Sequence, residues 1–181
     1  MFQMVDSFRG TIREWFDVRF QAELYISERG VTGAGNINGI DPLLMDELLE
    51  DPAIEYGDVM YLCRARPKVG ITLLAGVDMD AWSSRIRQIW LKQPGSLTPV
   101  EGSEPALVSE TFARRFEVLE GGTVELDTPN GKKLIAPIGI FTDYGNEFGT
   151  AAVSIDSWKK WTGSDRPINL SLYLKEGVQT N

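Results

Sequence analysis

Histidine is absent from this chain, and cysteine occurs once, as Cys63. The first absence removes Ser-His-Asp and Cys-His catalysis, His-ligated zinc and a histidine pH switch. The second excludes a disulfide within the chain, because a lone thiol has no partner. Basic charge is short as well: 18 Lys and Arg face 26 Asp and Glu, a net charge of −8. That balance argues against nucleic acid, whose phosphates are neutralised by Lys and Arg, and against electrostatic docking on anionic lipid. No segment reaches the roughly 18 consecutive apolar residues of a membrane helix. Residues 1–17 carry Asp6, Arg9, Arg13, Glu14 and Asp17 and do not make a secretory signal. Taken literally, this is a soluble cytoplasmic protein; the other reading is a piece of a longer membrane protein.

What is present describes a folded module. The 181 residues, 43% apolar and 24% charged, suit one domain or two small subdomains sharing a core. Met4, Phe8, Ile12, Trp15 and Phe16 form one apolar stripe at helical period. A helix of about 16 residues is roughly 24 Å long. It starts without an N-cap, as a helix entered midway would. From Val18 to Ile26 apolar and polar residues alternate, which predicts a strand joined to that helix with almost no loop. Gly30, Gly33, Gly35 and Gly39 then predict a loop.

Asp41-Pro42 reads as an N-cap followed by proline at the first helical position, and Pro52 closes a short helix with Leu43, Leu44, Leu48 and Leu49. Residues 54–66 and 71–77 read as two strands joined by a turn at Pro67–Gly70. Residues 81–91 fit a helix through Trp82, Ile86, Ile89 and Trp90, and a strand through Arg85–Arg87, equally well. Residues 93–105, rich in proline and glycine, read as a linker. Beyond it come a strand at Ala106–Val108, Ser109 as an N-cap for a helix through Phe116, and a hairpin. Asn130-Gly131 predicts a type I′ turn there, and Pro137 a bulged or edge strand over Leu134–Phe141. Thr150–Ile155, a helix capped by Asp156 and holding Trp158 and Trp161, and the alternating Ile168, Leu170, Leu172 and Leu174 form a closing strand–helix–strand unit.

The fold class expected is therefore α+β. It is a porter-like α/β sandwich of two split βαβ halves with a small β-rich insertion. Residues 1–100 and 150–181 make the first part, and residues 101–149 the insertion. No internal repeat is visible.

Candidate chemistry is sparse. The glycine loop lacks the third glycine of a dinucleotide motif, since Asn38 stands there, and no long helix follows. It reads as a surface loop. Ser157-Trp158-Lys159-Lys160 matches S-x-x-K without its companion motifs, and reads as a helical first turn. Asp78-Met79-Asp80 supplies two of the roughly six oxygens a divalent cation needs, and reads as a turn or a helix start. The acidic set Asp46, Glu47, Glu50 and Asp51 reads as a solvated helix face. Cys63, among apolar residues, reads as a small hydrophobe. No catalytic, cofactor or metal residues are assigned. Tryptophan is enriched at binding hot spots, so Trp82, Ile86 and Trp90 are the candidates for contact with a partner or substrate.

Several phrases carry a family resemblance. They are Ala106-Leu107-Val108-Ser109-Glu110-Thr111-Phe112-Ala113-Arg114-Arg115-Phe116, then Gly121-Gly122-Thr123-Val124-Glu125-Leu126 and Asn130-Gly131-Lys132, then Ile138-Gly139-Ile140-Phe141-Thr142-Asp143-Tyr144-Gly145. Met4–Arg9 and Arg19–Ile26 add the opening. Together they resemble the extracytoplasmic domain of FtsX-like, MacB-type ABC transporter permeases, with residues 27–100 matching least.

The resemblance implies a domain between two membrane helices, on the periplasmic or extracellular side of the cell membrane. It implies no enzyme activity and no cofactor here, with ATP used by a separate cytoplasmic ATPase subunit. Its partners would be that ATPase, reached through the membrane helices, and an outside protein or a lipid, lipoprotein or peptide substrate. A dimeric full-length protein is left open, and nucleic acid is not expected. On this reading residues 1–17 continue a membrane helix as a lever, with Phe8, Ile12, Trp15 and Phe16 coupling it to the domain, because a helix feeding a strand without a flexible linker transmits displacement. Two other readings stay open: a hydrolase using Ser157 and Lys160 or a carboxylate pair, and a cytoplasmic adaptor.

Overall fold

A computed structural model describes residues 9–10, 12–13, 16–18, 20–27, 39–68, 70–143 and 145–178. Phe8, Trp15 and the glycine loop from 30 to 38 lie outside the described residues. The described residues between 9 and 18 are helical. The helix runs further than the alternation at 18–26 predicts. The Phe20 amide donates to the Phe16 carbonyl at 2.9 Å, and the two rings stack at 5.7 Å. That i,i+4 pair favours the helical turn over the strand. The strand β1 is confined to Leu24–Ser27.

Helix α1, Pro42–Leu49, starts as predicted, with the Asp41 carboxylate accepting from the Leu43 amide at 2.9 Å. It packs through Met45, Leu48 and Leu49 onto Leu170 and Leu172. Leu43 and Leu44 face outward instead, Leu43 with 80% of its surface exposed. Strands β2, Ile54–Pro67, and β3, Thr72–Val77, form an antiparallel hairpin. The ambiguous residues that follow match neither reading as stated: helix α2, Met79–Ser84, stops before Ile86, Arg85–Arg87 is not a strand, and strand β4, Trp90–Lys92, starts only at Trp90. Asp78 caps α2 by accepting from the Ala81 amide at 2.9 Å.

Strand β5, Glu104–Ser109, leads into helix α3, Glu110–Arg115, which Ser109 caps as expected. Strands β6, Val124–Thr128, and β7, Gly131–Phe141, form the hairpin. Its turn is not type I′. Thr128 pairs with Gly131, so Pro129 and Asn130 are the central residues, and only Gly131 takes positive φ (91°). Proline fixes φ near −65° and so forbids the mirror-image turn beginning at 129. Pro137 sits at a bulge: Ala106 pairs with Pro137 and Leu107 with Gly139, leaving Ile138 unpaired in the ladder. Strand β8, Thr150–Ser154, helix α4, Ile155–Thr162, and strand β9, Asn169–Leu174, close the chain. The α4 cap is Ser154, whose hydroxyl accepts from the Ser157 amide; Asp156 lies within the first turn, where its charge suits the helix dipole.

Eight strands hydrogen-bond in the order β1-β9-β2-β3-β8-β5-β7-β4. The two βαβ halves are split and interlocked: β9 lies between β1 and β2, while β2 and β3 lie between β8 and β9. Strand β6 joins β7 to the far end of β2, through Arg66 with Asp127 and Pro67 with Leu126. Six strands thereby close a ring.

The core on one side of the sheet gathers Tyr61, Leu74, Phe112, Leu126, Trp158 and Trp161 under α3 and α4. Gly76 permits this: a Cβ there would sit 2.6 Å from Trp158 Cβ, which is far inside van der Waals contact. On the other side, Ala75, Val77, Leu107 and Ala152 pack with Trp82 and Phe141.

Candidate functional site

Strands β2 and β9 alternate apolar and polar residues, and the polar phase is the informative one. Leu170 and Leu172 are buried beneath α1, so Asn169, Ser171 and Tyr173 share the opposite face. Asp58 and Met60 of β2 lie beside them, Asp58 paired with Ser171 and Met60 with Asn169. Tyr25 of β1 pairs with Ser171 from the other side. This face floors a cleft of about 380 Å³. Trp82 and Ile86 of the α2 region, with Phe141–Asp143, form one wall, and Val18, Phe20 and Gln21 form another.

Asp58 is the unusual residue of the cleft. Burial, aided by the negative charge of Asp78, pushes its carboxyl up to about 6, and only the Trp82 indole N–H opposes the rise. That N–H lies near the carboxylate without closing a well-formed hydrogen bond. Asp58 Oδ1 and Trp82 Nε1 are therefore both buried with no partner among the described residues. Tyr173 is pushed up to about 12, by burial first and by Asp58 second. The Tyr56 phenol is raised further by the same two causes, and the Arg85 guanidinium lies over its ring at 4.5 Å. The described lining holds two carboxylates, Asp58 and Asp143, and five aromatic side chains, but neither Lys nor Arg.

Of the residues expected to meet a partner, Trp82 and Ile86 line this cleft and Trp90 does not. Trp82 and Trp90 converge on Phe141, each meeting its ring edge-on, at 5.9 Å and 6.4 Å. Trp82 is buried, while Ile86 and Trp90 are half-buried. Of the proposed coupling residues that are described, Ile12 and Phe16 are exposed by 39% and 48%.

What ties the N-terminal segment down is Gln21. Its side-chain amide donates to the Arg87 carbonyl and accepts from the Arg87 amide, each at 2.9 Å. The Glu23 carboxylate adds a bond from the Leu174 amide at 3.1 Å. Glutamine has no sequence signal for such a role, and neither does a lone aspartate in a strand. The polar phase of Asn169, Ser171 and Tyr173 was the available sign of a non-core face.

Ser157 and Lys160 are on α4, away from the cleft. The Ser157 hydroxyl donates to the Glu104 carboxylate, and the Lys160 carbonyl accepts from Asn130. Cys63 is half-buried against the core, and burial lifts its thiol to about 11 with slight opposition from Trp158.

This sheet and helix arrangement is the one found in extracytoplasmic domains of ABC-type transporters. The extracellular domain of the noncanonic ABC-type transporter YknZ from Gram-positive bacteria superposes with a TM-score of 0.56 at 12% identity, over 77% of this chain and 75% of that one. The periplasmic region of MacB from Actinobacillus actinomycetemcomitans gives 0.54 at 11% identity, over 86% and 75%. At such identity the likeness is one of fold. No protein-family model and no curated protein matches the sequence. Among the described residues no helix is long and apolar enough to cross a membrane.

Proposed function

We propose that this chain is the extracytoplasmic domain of an ABC transporter permease of the FtsX-like, MacB-type group, and that it relays motion rather than catalysing a reaction. The fold likeness and the resemblance in residues 106–145 support the group. The observation that carries the relay is the reciprocal bond pair between Gln21 and Arg87, which hooks the end of the N-terminal helical segment to the connection between α2 and β4. A displacement entering along residues 9–18 is delivered there to Trp82 and Trp90, the residues proposed to meet an outside protein or an exported lipid, lipoprotein or peptide. ATP is consumed by a separate cytoplasmic subunit, and the domain itself lies on the periplasmic or extracellular side of the cell membrane.

The hydrolase reading has less support, since Ser157 is bonded to Glu104 and stands outside the cleft. The relay is tested in the full permease by inserting Gly-Gly-Ser after Asp17. Export driven by ATP is expected to fall severely while the ATPase still turns over. Export at the parental rate would refute the lever.

A further inference from the structure

We propose that the cleft binds an organic cation, a protonated amine on an apolar body, with Asp58 as counter-ion and Tyr25, Trp82 and Tyr173 as aromatic walls. This goes beyond the transport reading and does not depend on it. Three observations converge. The cleft has room for a small molecule, about 380 Å³. Its described lining carries two carboxylates and no basic side chain, the nearest described cation being Arg85, which lies over the Tyr56 ring. Buried charges in folded proteins are ordinarily paired, yet among the described residues no Lys or Arg bonds to Asp58, and its Oδ1 has only the poorly aligned Trp82 indole N–H nearby. Aromatic faces beside a carboxylate are the surroundings in which ammonium groups are held, because the ring quadrupole attracts the cation where water is sparse.

The Trp82 indole N–H, beside the Asp58 carboxylate without a well-formed bond, is a further polar atom in the cleft wall. The described lining disfavours anions: a carboxylate or phosphate would face Asp58 and Asp143 with no Lys or Arg among the described lining residues to receive it.

The test is a calorimetric titration of the 181-residue chain with three probes sharing one apolar body: phenethylammonium, 2-phenylethanol and 3-phenylpropionate. Phenethylammonium is expected to bind at least about tenfold tighter than the alcohol, the increment of one charged hydrogen bond, and the acid not at all. Asp58→Asn is expected to abolish the difference between amine and alcohol.

The wild-type pH series is the second measurement, should Asp58→Asn fail to fold. The groups around Asp58 are Asp78 at the start of α2, Asp143 after β7, the phenols of Tyr56 and Tyr173, and Arg85 over Tyr56. With Asp58 titrating at about 6, amine affinity is expected to fall about tenfold from about pH 7.5 to about pH 5 as the counter-ion is protonated. Equal binding of amine and alcohol, amine binding that survives in Asp58→Asn, a flat pH series, or no amine binding at millimolar concentration would each overturn the proposal.

Discussion

Asp58 costs the free fold stability. Its carboxyl is easier to ionise in the unfolded chain, near 3.8, than in the native state, near 6. A raised carboxyl of this kind contributes stability only while protonated, so its contribution disappears as pH rises through 6. The shift corresponds to about 2–3 kcal/mol at neutral pH, an upper figure. Asp58→Asn is therefore expected to raise the urea midpoint at about pH 7.5, by an amount worth roughly 2 kcal/mol, and to lose that advantage near pH 4. Equal midpoints at both pH values would show that the carboxylate is already compensated. Cys63 offers a second prediction. With its thiol at about 11, the thiolate fraction at about pH 7.5 is roughly a hundredfold below that of a free cysteine. Iodoacetamide labelling of the folded chain should be slower by that order, and the difference should vanish in urea.

The contact of α4 with β3 is set by one glycine. Gly76→Ala drives a methyl into the Cβ of Trp158, where the backbone of both elements must yield. A loss of about 1–3 kcal/mol is expected from chemical denaturation, and a neutral result would mean that α4 docks less rigidly than its buried tryptophans imply. At this scale much was legible. Caps at Asp41 and Ser109 follow from short polar side chains that accept the free amides of a first turn, and the β2 and β3 boundaries follow from β-rich runs between turn residues. The errors in the elements share one physical cause, competition between residues close in sequence. The alternation at 18–26 lost to stacking of Phe16 on Phe20. Asn130-Gly131 lost to Pro129, and Asp156 lost to Ser154, one position outside the helix. The cleft was half legible. Trp82 and Ile86 announced themselves as aromatic and apolar, but Asp58 acquires its meaning only when β9, more than a hundred residues later, pairs beside it.

For the molecule as a whole, the interlocked strand order means that neither βαβ half can leave without unzipping the other, as β9 is held on both sides by β1 and β2. The N-terminal segment is different, because side-chain hydrogen bonds hold it. Gln21→Ala should free the Arg87 amide, which donates to Gln21 Oε1, and hydrogen exchange at that amide should accelerate while β2 and β3 amides keep their protection. Unchanged exchange at Arg87 would mean that the segment is retained by its aromatic contacts alone. The same segment supplies one wall of the cleft through Val18, Phe20 and Gln21. Any molecule in the cleft that touches this wall binds the docked segment more tightly than the displaced one. Thermodynamic reciprocity then requires the occupant to hold the segment in place by the same factor, about 1.4 kcal/mol for a tenfold preference. An occupant would brake the segment, and a pull on the segment would expel the occupant.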